Sequence, residues 1–283
     1  MDFYKSKRIS ENITRITEIT GVHMYLVEGR ERALLIDTGC GLPGLRQHVK
    51  ALTSLPLTVV CTHGHMDHAG GAAQFEEVYL HPEDVALSLT HCSVENRKEF
   101  VKLSVAVAHP EMDPLITEKW EYSQVRIEVY QELKDGMEFE LGGMTVKALA
   151  FRGHTQGMMC MLFCQERSIL FGDACNPSVF LYDIEASSVT EYKQSLEKFG
   201  KYEDLYDTVL LSHGPEQIFE KALRTQCVAV CDEILRGEDD KEDFIFMGGT
   251  YKAAHAILPN QMRRDGKVAN IIYNPYRLYG GEE

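Results

Sequence analysis

The chain has no apolar run near the ~20 residues that a membrane-spanning helix needs, which excludes a helical membrane protein as the expectation. Its first residues, MDFYKSKRISENI, lack the apolar stretch of a secretory leader, so a cytoplasmic location is the default. Positive charge is scarce: 29 Lys and Arg stand against 43 Asp and Glu, a formal net charge of −14. Such a surface repels polyphosphates and no basic patch offsets it, so nucleic acid is not an expected partner. The densest charge run, residues 236–243 (RGEDDKED), is acidic and reads as a solvated loop. No repeat of solenoid period and no low-complexity linker interrupts the chain.

The 8 cysteines are many, but a long chain without an export signal fits reduced thiols better than a disulfide framework. Cys160 and Cys164, like Cys227 and Cys231, therefore read as small buried side chains rather than a second metal or redox site. With 283 residues, 44% hydrophobic and 25% charged, the composition suits an ordinary globular domain able to bury a full core.

Residues 13–37 carry two short apolar runs around a polar turn and predict a strand meander. A helix is expected over 42–52, a strand over 57–61, a short helix over 72–75 and a strand over 78–81. Residues 82–122 change texture and read as a helical insertion. It is a candidate lid, the alternatives being an added helical layer or a dimer contact. Strand signals resume from Val125, followed by a helix over 188–199, a strand in TVLLSHG, a helix over 218–235 and a last strand in GKVANIIYNPYRLYG. Strands alternating with helices predict one α/β layered domain over residues 1–283.

The richest stretch is TVVCTHGHMDHAGG, residues 58–71. His63 and His65 lie two apart, so in an extended chain both imidazoles reach the same side. Asp67 and His68 follow, swung towards a neighbouring point if a helix begins there. Imidazoles with a carboxylate suit a borderline cation such as Zn²⁺. Four such ligands in so short a stretch strain around one tetrahedral ion and sit more naturally around two. Further candidates stand beside glycines just past predicted strands: His154 in RGHTQG, Asp173 in GDACN and His213 in SHG. Such strand-end loops are where α/β sheets carry function. The other histidines, His23, His48, His81, His91, His109 and His255, are each isolated and read as ordinary.

This ordered set, His-x-His-x-Asp-His and then His, Asp and His, together with LIDTG carrying Asp37, resembles the metallo-β-lactamase superfamily over residues 20–220. The resemblance implies an αββα four-layer sandwich with the metals at one edge. It implies that His63, His65 and His154 hold one ion, that Asp67, His68 and His213 hold a second, and that Asp173 bridges both. Asp37 would orient a ligand histidine. The implied cofactors are two Zn²⁺, with Mn or Fe as substitutes, and the ligand set is similar to that of glyoxalase II. The tail does not show that enzyme's basic glutathione-binding segment.

The expected activity is binuclear hydrolysis, with a metal-bridging hydroxide attacking the carbonyl of a small-molecule thioester, lactone, amide or similar compound. Asp67 would add hydrogen-bond duty towards the nucleophile or the leaving group. Phe180 and Tyr182 are expected to contact substrate, and a homodimer is one assembly to consider. Two alternatives remain open: a mononuclear-iron oxygenase similar to persulfide dioxygenases, and a metal-retaining binding protein with slow chemistry.

Overall fold

The computed structural model describes residues 2–214, 218–246, 248–258 and 262–280. The first half of the chain builds a sheet from β1 (Tyr4–Arg8), β2 (Ile13–Glu18), β3 (His23–Glu28), β4 (Ala33–Ile36), β5 (Leu57–Val60), β6 (Val78–Leu80) and β7 (Tyr130–Glu132), in that order. β1 to β4 run antiparallel, and β4 to β7 run parallel. The parallel crossovers carry α1 (Leu45–Leu52), α2 (Met66–Ala69), α3 (Pro82–His91) and α4 (Val94–Ala108). β6 pairs directly with β7, so α3 and α4 belong to an excursion from the sheet.

The second half adds β8 (Glu138–Glu140), β9 (Thr145–Ala150), β10 (Met159–Phe163), β11 (Ser168–Leu170), β12 (Val179–Leu181), β13 (Thr208–Leu210) and β14 (Phe219–Glu220). All of these except β12 form a sheet in the order β14-β13-β11-β10-β9-β8. Against it lie α5 (Val189–Phe199), opened by a Ser188–Glu191 capping box, and α6 (Leu223–Arg236). β15 (Glu242–Phe246), β16 (Gly249–Ala253) and β17 (Ile271–Tyr273) join β12 in a small third sheet, β12-β17-β16-β15.

Period-two alternation explains the layers. In β3, Tyr25 and Val27 face Val146, Met159 and Met161 of the second sheet, whereas Leu26 faces the cluster that contains Leu45 and Val49 of α1. In β10, Met159 and Met161 point to the first sheet, while Cys160 and Leu162 point to the cluster of Tyr192, Leu196, Cys227 and Val230 on α5 and α6. Two sheets face each other and helices cover both outer faces, giving the αββα sandwich.

Two expectations need correction, and one strand was not foreseen. The helix expected from residue 218 begins at Leu223, because Phe219 and Glu220 pair with β13 instead. The run 236–243 is not a plain solvated loop: Gly237 ends α6 in the left-handed conformation, and Glu242 and Asp243 already belong to β15. Within it Asp239 is buried, its carboxylate accepting a 2.5 Å hydrogen bond from the Tyr273 hydroxyl. Tyr4–Arg8 forms a strand that the sequence did not announce. All eight cysteines are free, and all but the half-buried Cys164 are buried. Among the described residues no helix is long and apolar enough to cross a membrane.

Candidate metal centre

The candidate ligands gather where strand ends meet at one edge of the sandwich. β5 ends at Val60 and delivers His63 and His65; His65 caps α2, which carries Asp67 and His68. His154 follows β9, Asp173 follows β11 and His213 follows β13. Asp37 follows β4 at φ 67°, a left-handed conformation uncommon outside glycine and best tolerated by Asn and Asp.

Two groups result, His63/His65/His154 and Asp67/His68/Asp173/His213, each with ligand atoms within 4.8 Å of one another. In the first, His65 Nδ1 lies 3.1 Å from His63 Nε2 and 2.9 Å from His154 Nε2. In the second, His213 Nε2 lies 3.2 Å from His68 Nε2 and 3.2 Å from an oxygen of each of Asp67 and Asp173. The same Asp173 oxygen is 3.7 Å from His154 Nε2, so this carboxylate stands between the groups. Every sequence-predicted ligand is therefore brought together.

The opposite ring nitrogens are held by the fold. His154 Nδ1–H donates to the Phe180 carbonyl at 2.7 Å, and His68 Nδ1–H donates to Asp37 at 2.9 Å. Asp37 also accepts from the Thr62 amide and hydroxyl, and that hydroxyl lies 3.1 Å from His63 Nδ1. His65 Nε2 faces Glu185 Oε1 at 2.9 Å. Each of these histidines thus turns one nitrogen inward, as an imidazole backed by an acceptor does at a metal.

Charge divides the two groups, except that against burial Glu185 raises His65. Burial, joined by the charges of His68 and His65, holds His63 well below the usual histidine range. Burial and then the His65 charge bring His154 down to about 4. Burial also opposes charge on His68 and His213, but Asp67 and Asp37 lift His68 well above its usual value, and Asp173 with Asp67 lifts His213 to about 10. Against burial, His68 and His213 hold both carboxylates, Asp67 and Asp173, well below their ordinary range.

The site fits divalent cations. His65 Nδ1 lies about 3 Å from two other ring nitrogens at once, and all three lie within 4.8 Å of one another, more than bridging protons satisfy. Asp173 Oδ1 is buried with no hydrogen-bond partner, an orphan that normally calls for an explanation such as an ion.

Sequence reasoning missed three residues, all of them reaching the site through tertiary packing. Asp84 of α3 accepts from the Gly64 amide (2.9 Å), the Thr155 hydroxyl (2.6 Å) and the Gly157 amide (2.7 Å), tying the His63–His65 loop to the His154 loop. Glu185 backs His65. His91, read as isolated, stacks on His65 with centroids 4.7 Å apart and planes 17° apart. Tyr182 lines a 560 Å³ cavity with His91, Asp183, Glu185, Tyr251 and Arg277. Phe180 instead meets the site through its carbonyl, and its ring packs against Phe244 and Phe246.

The chain resembles known proteins in sequence and in fold. A family model described as the metallo-beta-lactamase superfamily matches residues 18–213. The acyl-coenzyme A thioesterase MBLAC2 of Gallus gallus is 30% identical over 217 residues, covering 71% of this chain and 76% of that protein. Its Homo sapiens counterpart is 27% identical over 249 residues, covering 78% and 86%. Among solved structures, a metallo-beta-lactamase from Pontibacter korlensis superposes with TM-score 0.55 at 16% identity, covering 81% of this chain and 99% of that one. That likeness speaks for the fold alone. Family match, αββα layers and ligand geometry agree, and the chain belongs to the metallo-β-lactamase superfamily.

Proposed function

We propose that the chain is a binuclear metal-dependent hydrolase acting on the carbonyl of a small thioester. The observation that carries this reading is the Asp173 carboxylate standing between two groups of inward-turned histidines. Two zinc ions held by His63/His65/His154 and by Asp67/His68/His213 would polarise a carbonyl and bring a shared water towards ionisation at neutral pH. The rest falls to the chain's own groups. Asp37, Thr62, the Phe180 carbonyl and Glu185 keep the imidazoles oriented. Asp67, buried beside His213, is an ionised carboxylate suited to accepting a hydrogen bond from the attacking water or the leaving group. Substrate approaches from the His213 side: that side chain is 34% exposed, whereas His68 is 0% exposed.

Thioesters are favoured within the carbonyl class because relatives over most of the chain are named acyl-coenzyme A thioesterases. Free cysteines throughout support a reducing, cytoplasmic compartment. The test is elemental analysis of protein purified without added metal, beside Asp173→Ala, followed by thiol release from a panel of acyl thioesters set against lactones. Two zinc per chain, diminished in the variant, with preferential thioester turnover is the expected result. One iron per chain with oxygen uptake, or no metal after reconstitution, would overturn it.

A further inference from the structure

Of the four backed histidines, His65 is held differently. Asp37 and Thr62 are fully buried, and the acceptor for His154 is the backbone carbonyl of Phe180 on β12. Glu185, by contrast, lies in the segment between β12 and α5, on the wall of the 560 Å³ cavity. Its Oε1 is 2.9 Å from His65 Nε2 and 3.3 Å from His91 Nε2, and His91 is the last residue of α3. The carboxylate is therefore gripped from two sides. The His91 ring also lies nearly parallel to His65, so the ligand imidazole is fixed at its edge by Glu185 and on its face by His91. An imidazole without these contacts can rotate about χ2 or present its other nitrogen; with Nε2–H donated to Glu185, only Nδ1 is left to turn towards His63 and His154.

We infer that Glu185, braced by His91, is a positioning residue that fixes the orientation and protonated nitrogen of His65, and so sets how tightly the His63/His65/His154 group holds its ion. The inference rests on the metal reading given above, but not on the substrate. It gives the insertion a definite task at the site, since His91 reaches His65 from α3. The same residues lie on the wall of the cavity that Tyr182 and Tyr251, stacked 4.1 Å apart, also line.

The test is zinc affinity by competition with a chromophoric chelator, on the full chain, for wild type, Glu185→Ala, Glu185→Gln, His91→Ala and His91→Phe. Thermal unfolding of each confirms that it folds. Removal of such a backing partner typically costs 10–100-fold in metal affinity, and Glu185→Ala is expected to fall in that range for one equivalent while leaving the other unchanged. Glu185→Gln keeps an oxygen that accepts the same hydrogen bond and should recover most of the loss. His91→Phe keeps the stack and should lose less than His91→Ala. The cobalt-substituted protein gives an independent signature: Glu185→Ala should change the visible band of one equivalent only.

Wild-type affinity in folded Glu185→Ala would overturn the inference and leave the metal reading standing. So would a Glu185→Gln variant as weakened as Glu185→Ala, since charge rather than orientation would then be at work. A third equivalent of zinc that vanishes in His91→Phe would overturn it too, by making His65, His91 and Glu185 an ion site of their own. No metal bound by wild type would remove both readings together.

Discussion

Asp84 should be among the most sensitive positions in the molecule, although it touches no candidate ligand side chain. It is 1% exposed and collects two backbone amides and a hydroxyl from the loops that carry His63, His65 and His154. The approach is close enough that both donor loops need glycine: a Cβ on Gly64 would stand 2.5 Å from the Asp84 carbonyl, and one on Gly157 would stand 2.7 Å from its carboxyl carbon. Asp84→Ala strands two buried amides at about 1–3 kcal/mol each and removes a charge-assisted hydrogen bond. The Thr155 hydroxyl can rotate to another partner, so the expected loss is about 4 kcal/mol. That is a large part of a stability of ~5–15 kcal/mol. Asp84→Asn keeps one carbonyl oxygen but turns an NH₂ towards a donor, and about 2 kcal/mol is expected. Urea unfolding, read together with zinc content, measures both. The reasoning is refuted if Asp84→Ala loses less than about 1 kcal/mol and still binds its full complement of metal.

Three further outcomes are expected. Burial, with the Asp67 charge adding to it, pushes Glu18 up to about 7. The folded chain thus keeps a proton that the unfolded chain releases, and the stability from Glu18 is complete below pH ~4.5 and lost as pH rises through ~7, a swing of about 3 kcal/mol. Glu18→Gln should flatten the melting temperature between pH 5 and 8, and an unchanged slope would contradict the assignment. Arg97 is fully buried and donates to the carbonyls of Cys40, Gly70, Cys92 and Ser123; Arg97→Met should cost about 3 kcal/mol or more and speed proteolysis within residues 109–122, and wild-type cleavage kinetics would refute this. Because both His68 and His213 sit above their usual range, while in the other group only His65 does and His63 and His154 sit below it, zinc uptake by the Asp67/His68/Asp173/His213 group should release more protons and weaken faster as pH falls. Calorimetry in buffers of different ionisation enthalpy reads this out, and equal proton release for the two equivalents would refute it.

The ligands were legible because their chemistry is written locally. His63, His65, Asp67 and His68 are neighbours in the chain, and His154, Asp173 and His213 each follow a short apolar run that reads as a strand. The α/β class was legible from strands alternating with helices, but the four layers came only from the family resemblance, because β3 and β10 are near-continuous apolar runs that do not say which side faces which layer. What escaped was tertiary. Asp84 and His91 sit on a helix with an unremarkable pattern, and nothing in DVALSLTH says that its two ends meet different loops of the site. Glu185 lies in a loop where acidic residues are usually solvated. Arg97 reads as an exposed helix residue until Ser123, Gly70 and Cys40 close around it. β14 and β15 were missed because two-residue and charged strands earn their pairing from a neighbour, β13 or β16, rather than from their own composition.

Because four candidate ligands follow β5 and three follow β9, β11 and β13, the metal centre straddles the seam between two sheets that are otherwise joined by apolar contact. Ions bound there, as proposed above, would act as reversible rivets between the halves of the chain. A metal-starved copy would keep its layers but lose the rivets, so its strand-end loops are expected to open more readily to proteases. On the proposed metal reading, the lifetime of the chain would then follow metal supply, with metal-free copies cleaved first.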